Sequence, residues 1–348
     1  MYVIRDEKFV LIPLAYNEFC NDIKSLGDSP KYAGEIKVKR ILDNSALEDI
    51  IEYCSQDKDI LYIVDMKNIM SHSNKVFKRL LELENVKIII VNIEGSLIDN
   101  IKEDLNDRYE QIDEYTLCSE NKLKDSYSAY YDEIHNIYHN ETVTIVQWMK
   151  QCVTKESVKN IKPLDSSGIY CNMYINAKRL FIDPDKYYFI IYQMICMIAS
   201  SNQNFDALVS ASRNGANIAS IIGWLLNKKV IHCTSLGPKF SLAPNLIYKE
   251  IRHKKRYAYI FDFMCLGTEA KLLNALLNSK GANLVEGFGI ANYINLEHNL
   301  QFSVLNKMNS LVDVQKEKIG YRIAGSKEEI EEMLIEESEE YVSGLCRV

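Results

Sequence analysis

Proline and glycine are scarce in this chain, 6 and 14 among 348 residues, so long flexible or low-complexity tracts have little to form from. Long apolar runs are missing too, and none approaches the length that spans a bilayer. The opening Met1-Tyr-Val-Ile-Arg-Asp-Glu-Lys8 carries charges where a secretory signal needs an apolar stretch. Membrane insertion is therefore not expected. Basic charge is in deficit, with 41 Lys and Arg against 48 Asp and Glu and a formal charge of −7, so the broad basic surface that phosphate-backbone binding uses is not provided. That disfavours nucleic acid as the main partner. Paired cysteines are absent as well: nine are scattered at Cys20, Cys54, Cys118, Cys152, Cys171, Cys196, Cys233, Cys265 and Cys346 with no Cys-x-x-Cys among them. They read as reduced core residues of a cytoplasmic protein. Without a Gly-x-Gly-x-x-Gly, a Walker loop or a nucleophile elbow, dinucleotide, ATP-hydrolysing and serine-hydrolase readings lose their usual support.

Hydrophobic residues make up 47% and charged residues 26%, which is ordinary for a globular chain, and the length favours two domains with separate cores. Apolar spacing switches between period two and period 3.6 along residues 1–120, as in a small α/β domain. It predicts strands at 35–41, 60–65 and 86–91 and helices at 45–54, 74–84 and 97–105. A polar stretch, 107–124, loses the pattern, and two helices at 126–139 and 142–159 suggest a helical connection over 121–162.

The second alternation occupies 163–348. It predicts strands at 170–176, 205–210, 229–233, 257–262 and 283–290, with helices at 184–199, 214–226 and 268–279 between them. Pro184 suits the first turn of its helix, where no N–H donor is needed. Strand, loop and helix in repetition imply a parallel, Rossmann-like sheet whose ligands sit at the carboxyl ends of its strands. The tail, Lys327 to Glu340, reads as an acidic helix with Ile330, Met333 and Leu334 on its buried face.

Two strand-to-helix turns carry candidate chemistry. Val209-Ser-Ala-Ser-Arg-Asn-Gly-Ala216 puts small residues where N–H groups and the positive end of a helix can face an anion. Phe261-Asp-Phe-Met-Cys-Leu-Gly-Thr-Glu269 places Asp262 where it can accept ribose hydroxyls or hold Mg²⁺ through water, with Gly267 and Thr268 able to surround a phosphate.

The segment Ile260-Phe-Asp-Phe-Met-Cys-Leu-Gly-Thr268 resembles the phosphoribosyl pyrophosphate motif of type I phosphoribosyltransferases, and Val209 to Gly215 resembles their pyrophosphate loop. Leu164-Asp-Ser-Ser-Gly168, followed by Tyr174-Ile-Asn-Ala-Lys178 and Pro184, is similar to the opening of the orotate branch. The three matches run in order over 163–292. The resemblance implies that Asp262, Gly267 and Thr268 hold the ribose phosphate, and that Ser212, Arg213, Asn214 and Gly215 hold the pyrophosphate. It implies that Ser167, Gly168 and Lys178 form a hood over the base, and that Asp262 and Lys239 serve catalysis with Mg²⁺. The 236–256 connection takes the place of a flap, and its Lys239 and the Arg252-His-Lys-Lys-Arg256 cluster could close over a polyanion. The expected partner is phosphoribosyl pyrophosphate or a nucleotide; a homodimer stays open.

Three positions depart from the family pattern. The first acidic residue of the motif falls at Phe261, Leu266 removes a hydroxyl, and Glu269 puts a carboxylate into a phosphate loop. They point to a sensor or regulatory module with weakened or lost catalysis, the alternative being an active Mg²⁺-dependent, orotate-like phosphoribosyltransferase. The Asp-Phe-Met run also resembles that of purine repressors with this fold. In the N-terminal part, Tyr62 to Ile69 and Lys87 to Asn92 faintly resemble the sulfate-transporter and anti-sigma-antagonist module, a binding domain without catalysis.

His135 and His139 stand one helical turn apart, a spacing able to hold zinc, but no Glu follows the first His in the metalloprotease manner and a solvated helix face is the plainer reading. Asp65, at a strand end, reads as a helix cap more readily than as an active carboxylate.

Overall fold

A computed structural model describes residues 2–5, 9–26, 40–42, 44–73, 76–83, 85–106, 108–119, 141–155, 163, 168–233, 250–293, 304–317 and 321–333. The chain divides into two compact units, Met1–His139 and Asn140–Val348. Both are mixtures of helices and parallel-strand sheet, in keeping with the α/β class that the alternating pattern predicts.

The first unit contains β1 (Ile4–Arg5), β2 (Phe9–Pro13), α1 (Leu14–Leu26), β3 (Arg40–Leu42), α2 (Asn44–Cys54), β4 (Leu61–Asp65) and β5 (Ile69–His72). A 3₁₀ helix (Val76–Glu82), β6 (Lys87–Val91), α3 (Gly95–Asp104), β7 (Glu110–Asp113) and β8 (Thr116–Cys118) follow. Its main sheet runs β1-β2-β4-β6-β8-β7, with β2, β4 and β6 mutually parallel and the flanking strands antiparallel. Phe9, Leu11, Leu61, Ile63, Ile89 and Val91 form one buried face, and Val10, Ile12, Tyr62, Val64, Ile88 and Ile90 are buried on the other. Burial on both faces is why these strands read as unbroken apolar runs. The polar stretch after α3 proves to hold the β7–β8 hairpin; β7 lies at the sheet edge with three of four residues exposed, so it has no apolar period to betray it. Asp65 closes a turn instead of capping a helix: its Oδ1 accepts from the Lys67 N–H at 2.8 Å and from Asn92 Nδ2 at 3.2 Å. The expected helix at 126–139, with His135 and His139, lies outside the described residues.

The second unit opens with α4 (Glu141–Cys152) and β9 (Val153–Lys155). The expected helix at 142–159 thus ends early, where the β-branched pair Val153-Thr154 begins a strand that pairs antiparallel with β11 (Met173–Ile175). Trp148 of α4 meets Phe189 edge-on at 5.6 Å, so residues 141–155 of the expected connection pack into this unit. Then come β10 (Tyr170–Cys171), a 3₁₀ turn (Ala177–Phe181), α5 (Pro184–Ser200), β12 (Ala207–Ser210), α6 (Arg213–Leu225), β13 (Lys229–His232) and β14 (Arg256–Met264). The remainder is α7 (Thr268–Ser279), β15 (Asn283–Asn292), a 3₁₀ turn (Leu305–Lys307), β16 (Met308–Asp313), β17 (Ile323–Ala324) and a helical segment over 327–333. Ile330 of that segment is fully buried with Met333 against it, as its spacing predicts.

Five strands, β13-β12-β14-β15-β16, form a sheet that is parallel throughout. Tyr257, Tyr259 and Phe261 of β14 are buried with Leu273, Leu276 and Leu277 of α7, while α6 lies against β12, β13 and β14. From β12 the chain moves outward to β13, then crosses back to lay down β14, β15 and β16 on the other side of β12. The direction of winding therefore reverses between β12 and β14, which opens a crevice beyond their carboxyl ends.

Candidate functional site

The two turns singled out in the sequence leave the sheet at this reversal. β12 and β14 are in register as Ala207↔Tyr257, Leu208↔Ala258 and Val209↔Tyr259. Continued past the strand end, that register sets Ser212 opposite Asp262. Ser212 Oγ donates to Asp262 Oδ1 at 2.9 Å, and Asn214 Nδ2 donates to Oδ2 at 2.8 Å. Ser212 is also the N-cap of α6, its Oγ accepting from the Gly215 N–H at 2.9 Å. One hydroxyl thus ties the helix start to the carboxylate. Gly215 allows the approach, since a Cβ there would stand 2.9 Å from the Ile260 carbonyl oxygen and 3.4 Å from Phe261 Cα.

Across the crevice, Gly267 takes φ 67°, a left-handed conformation, and precedes the first residue of α7. A Cβ at Gly267 would also stand 2.4 Å from Leu305 Cδ2, so both conformation and space call for glycine. The N–H groups of the first turn of α7 have no intrahelical acceptor, and Gly267 to Ala270 line the cavity.

That cavity, about 200 Å³, is lined by Ser212, Asn214, Asp262, Phe263 to Ala270, Tyr259, Ile175 and Tyr321. Among the described residues no Lys, Arg or His lines it; Asp262 and Glu269 are its charged side chains. Glu269 is largely enclosed, accepts from Tyr259 OH at 3.2 Å, and has its carboxyl pushed up to about 7, first by burial and then by the charge of Asp262, with the Tyr259 bond opposing. Burial, with Glu269 and Asp262 nearby, holds the Tyr259 phenol well above its ordinary range. Cys265 lies 3.7 Å from Tyr321 OH, and burial pushes its thiol up to about 12. Burial thus favours the neutral thiol over the thiolate.

The expected residues fall in different places. Asp262, Ser212, Asn214, Gly267 and Thr268 line one cavity, with Gly215 packed directly behind it. Arg213 is exposed and outside the lining. Gly168 (φ 72°) and Lys178 are exposed and also outside it, whereas Ile175, three residues before Lys178, does line the cavity. Ser167, Lys239 and residues 236–249 of the flap position lie outside the described residues.

The basic cluster 252–256 is at the wrong end of the sheet to close over a phosphate. Lys255 Nζ bonds Asp206 at 2.8 Å and Arg256 bonds Gln203 at 2.9 Å, at the amino end of β14, eight residues and about 26 Å of strand from Met264. Phe261 is 1% exposed, its ring tilted against that of Tyr259 at 5.4 Å and packed over Gly289, so the position of the missing acid faces the core. The sequence reading missed Tyr259, Ile175, Cys265 and Tyr321. Period-two counting from Phe261 could have put Tyr259 on the face turned to α7; nothing local marks Tyr321.

No protein-family model matches the chain, and no curated protein matches it. Among solved structures, similar folds include orotate phosphoribosyltransferase from Aeropyrum pernix, 16% identical, aligned over 49% of this chain and 93% of that one with a TM-score of 0.39. Leishmania donovani UMP synthase is 14% identical over 80% of this chain and 55% of that one, with a TM-score of 0.40. Adenine phosphoribosyltransferase from Trypanosoma brucei, solved with AMP, pyrophosphate and ribose-5-phosphate, is 14% identical over 49% of this chain and 80% of that one, with a TM-score of 0.38.

Proposed function

We propose that the second unit is a phosphoribosyltransferase-like module that holds phosphoribosyl pyrophosphate or a nucleotide and acts as a sensor, with transfer chemistry weakened or lost. The observation that carries this is Asp262, held by Ser212 and Asn214 at the reversal of the sheet and facing the Gly267 loop. In this reading Asp262 accepts the ribose hydroxyls, and the first-turn N–H groups of α7 with Thr268 take the 5′-phosphate. Each Asp262 oxygen accepts one hydrogen bond and keeps a lone pair free, which fits a contact to Mg²⁺ through water. Mg²⁺ would arrive with the pyrophosphate and offset its charge. Weakened catalysis is supported by Phe261, an apolar residue turned into the core at the position that the resemblance gives to the first acid, and by the absence of a cation among the described lining residues. The first unit, with its own buried sheet, would then be the non-catalytic binding module that receives the signal.

The alternative, an active nucleobase phosphoribosyltransferase, is favoured by Ile175, through which the orotate-like segment 174–178 reaches the cavity. Calorimetry with phosphoribosyl pyrophosphate and Mg²⁺, followed by a pyrophosphate-release assay across the common bases, separates the two. Binding without release supports the sensor, release supports the enzyme, and no binding removes both.

A further inference from the structure

A carboxylate sits in the loop that is best placed to hold a phosphate, and its surroundings say what that does to the ligand. Glu269 is the second residue of α7, enclosed at the wall of the cavity, and its Oε2 already accepts from Tyr259 OH at 3.2 Å. Among the described residues, Asp262 and Tyr259 from β14 act on it directly, and Cys265 from the preceding loop and Tyr321 from the segment before β17 are the other titratable groups lining the cavity. None of these is a cation, so among the described residues nothing in the lining offsets a second negative charge. An anionic phosphate oxygen on the first-turn N–H groups would lie within one helical turn of the Glu269 carboxylate, in the same cavity. Two anions at that spacing exclude one another unless a proton lies between them, as in carboxylate pairs that share one.

Resting on the reading of this cavity as a ribose-phosphate site, we infer that Glu269 determines which charge form of the ligand the loop accepts: the phosphate docks only together with one proton. The proton is held between a Glu269 oxygen and a phosphate oxygen, so that a neutral carboxyl donates to the phosphate dianion or the carboxylate accepts from the monoanion. No covalent bond changes, and where carboxylate and phosphate are both ionised beforehand, above neutrality, one proton is taken from solvent for each ligand bound. Burial and Asp262 already favour the protonated form of Glu269, whose carboxyl is pushed up to about 7, so the proton is within reach near neutrality. The site is thereby selective for phosphomonoesters under mildly acidic conditions and discriminates against them under alkaline ones, with no change in its shape.

The test is calorimetry of ribose 5-phosphate binding to the full chain, from about pH 5.5 to about pH 8.5, for the natural protein and for Glu269→Gln. Gln keeps an acceptor for Tyr259 and removes the charge. The natural protein is expected to lose affinity by about tenfold per pH unit above neutrality, whereas Glu269→Gln loses far less and binds more tightly at the alkaline end. Repeating the titration of the natural protein in two buffers of different ionisation enthalpy counts the protons directly, with uptake of about one per ligand expected near pH 8. This second measurement needs no variant and stands if the variant misfolds. Equal pH profiles for the two proteins, or no proton uptake, would overturn the role of Glu269 while leaving the ribose-phosphate site intact. Failure of both proteins to bind ribose 5-phosphate across the range removes the site itself, and the inference with it.

Discussion

Asp262 and Glu269 are both carboxylates at the end of one strand and the start of the next helix, yet their neighbours give them opposite tasks. Asp262 receives two donors, Ser212 and Asn214, and is kept ready to accept more. Replacing it by Ala leaves both donors without an acceptor, so Asp262→Ala is expected to cost about 1–3 kcal/mol in denaturant unfolding and to abolish ligand binding in calorimetry. Glu269 has a single hydrogen bond, and burial, with the charge of Asp262, raises its carboxyl pKa from 4.5 to about 7 against the opposing effect of that bond. A raised carboxyl pKa means that the folded state holds the proton more tightly than the unfolded chain. Its contribution to stability is therefore fully present below about 4.5 and is lost as pH rises to about 7. Relative to the natural protein, Glu269→Gln should gain stability across that window, by up to about 3 kcal/mol above neutrality, as read by urea unfolding at several pH values. An unchanged difference between pH 4 and pH 8, roughly the ends of that window, would show Glu269 to be solvated.

At the scale of elements, the site depends on how two helices begin. α6 begins with a side-chain cap that is also the tether of Asp262, so Ser212→Ala is expected to lose about 1 kcal/mol of cap stability and, in addition, to weaken ligand affinity. A pure cap would show the first effect without the second. α7 begins on a glycine in the left-handed region, under Leu305. Gly267→Ala is expected to destabilise by about 1–3 kcal/mol through backbone strain and overpacking, and Leu305→Ala introduced beside it should relieve only the packing part, as a double-mutant cycle would resolve. The elements themselves were legible where their periodicity is strong: α7 occupies the predicted span, and β4, β6, α5 and α6 fall within one or two residues of theirs. No expectation covered β2, an unbroken buried run, or α1; the others missed have little periodicity of their own. β7 is an exposed edge, β1 is two residues long, and the 3₁₀ helix Val76–Glu82 stands where an α-helical spacing was read.

At the scale of the whole molecule, each unit has its own sheet and its own buried cluster, and the second contains every described residue of the cavity. A fragment spanning 140–348 is expected to unfold cooperatively by circular dichroism and to retain the ligand affinity of the full chain. A fragment starting at residue 163 lacks α4 and β9, and with them the Trp148–Phe189 contact and the partner of β11, and should be less stable. Among the described residues no helix is long and apolar enough to cross a membrane.

The amino-acid sequence alone determined the α/β class, the parallel second sheet and the two turns at which small residues, Asp262 and Gly267 meet, because these rest on spacing and turn chemistry within some ten residues. The tertiary structure decided which of those residues share a cavity. Ser212 and Asp262 are 50 residues apart and meet only because the chain crosses back beside β12; Tyr321 arrives from 52 residues beyond Glu269 to close the same wall. It also sent the 252–256 cluster to the far end of β14 and turned Phe261 into the core, since strand direction and face follow from the order of the sheet and cannot be counted from the turn itself.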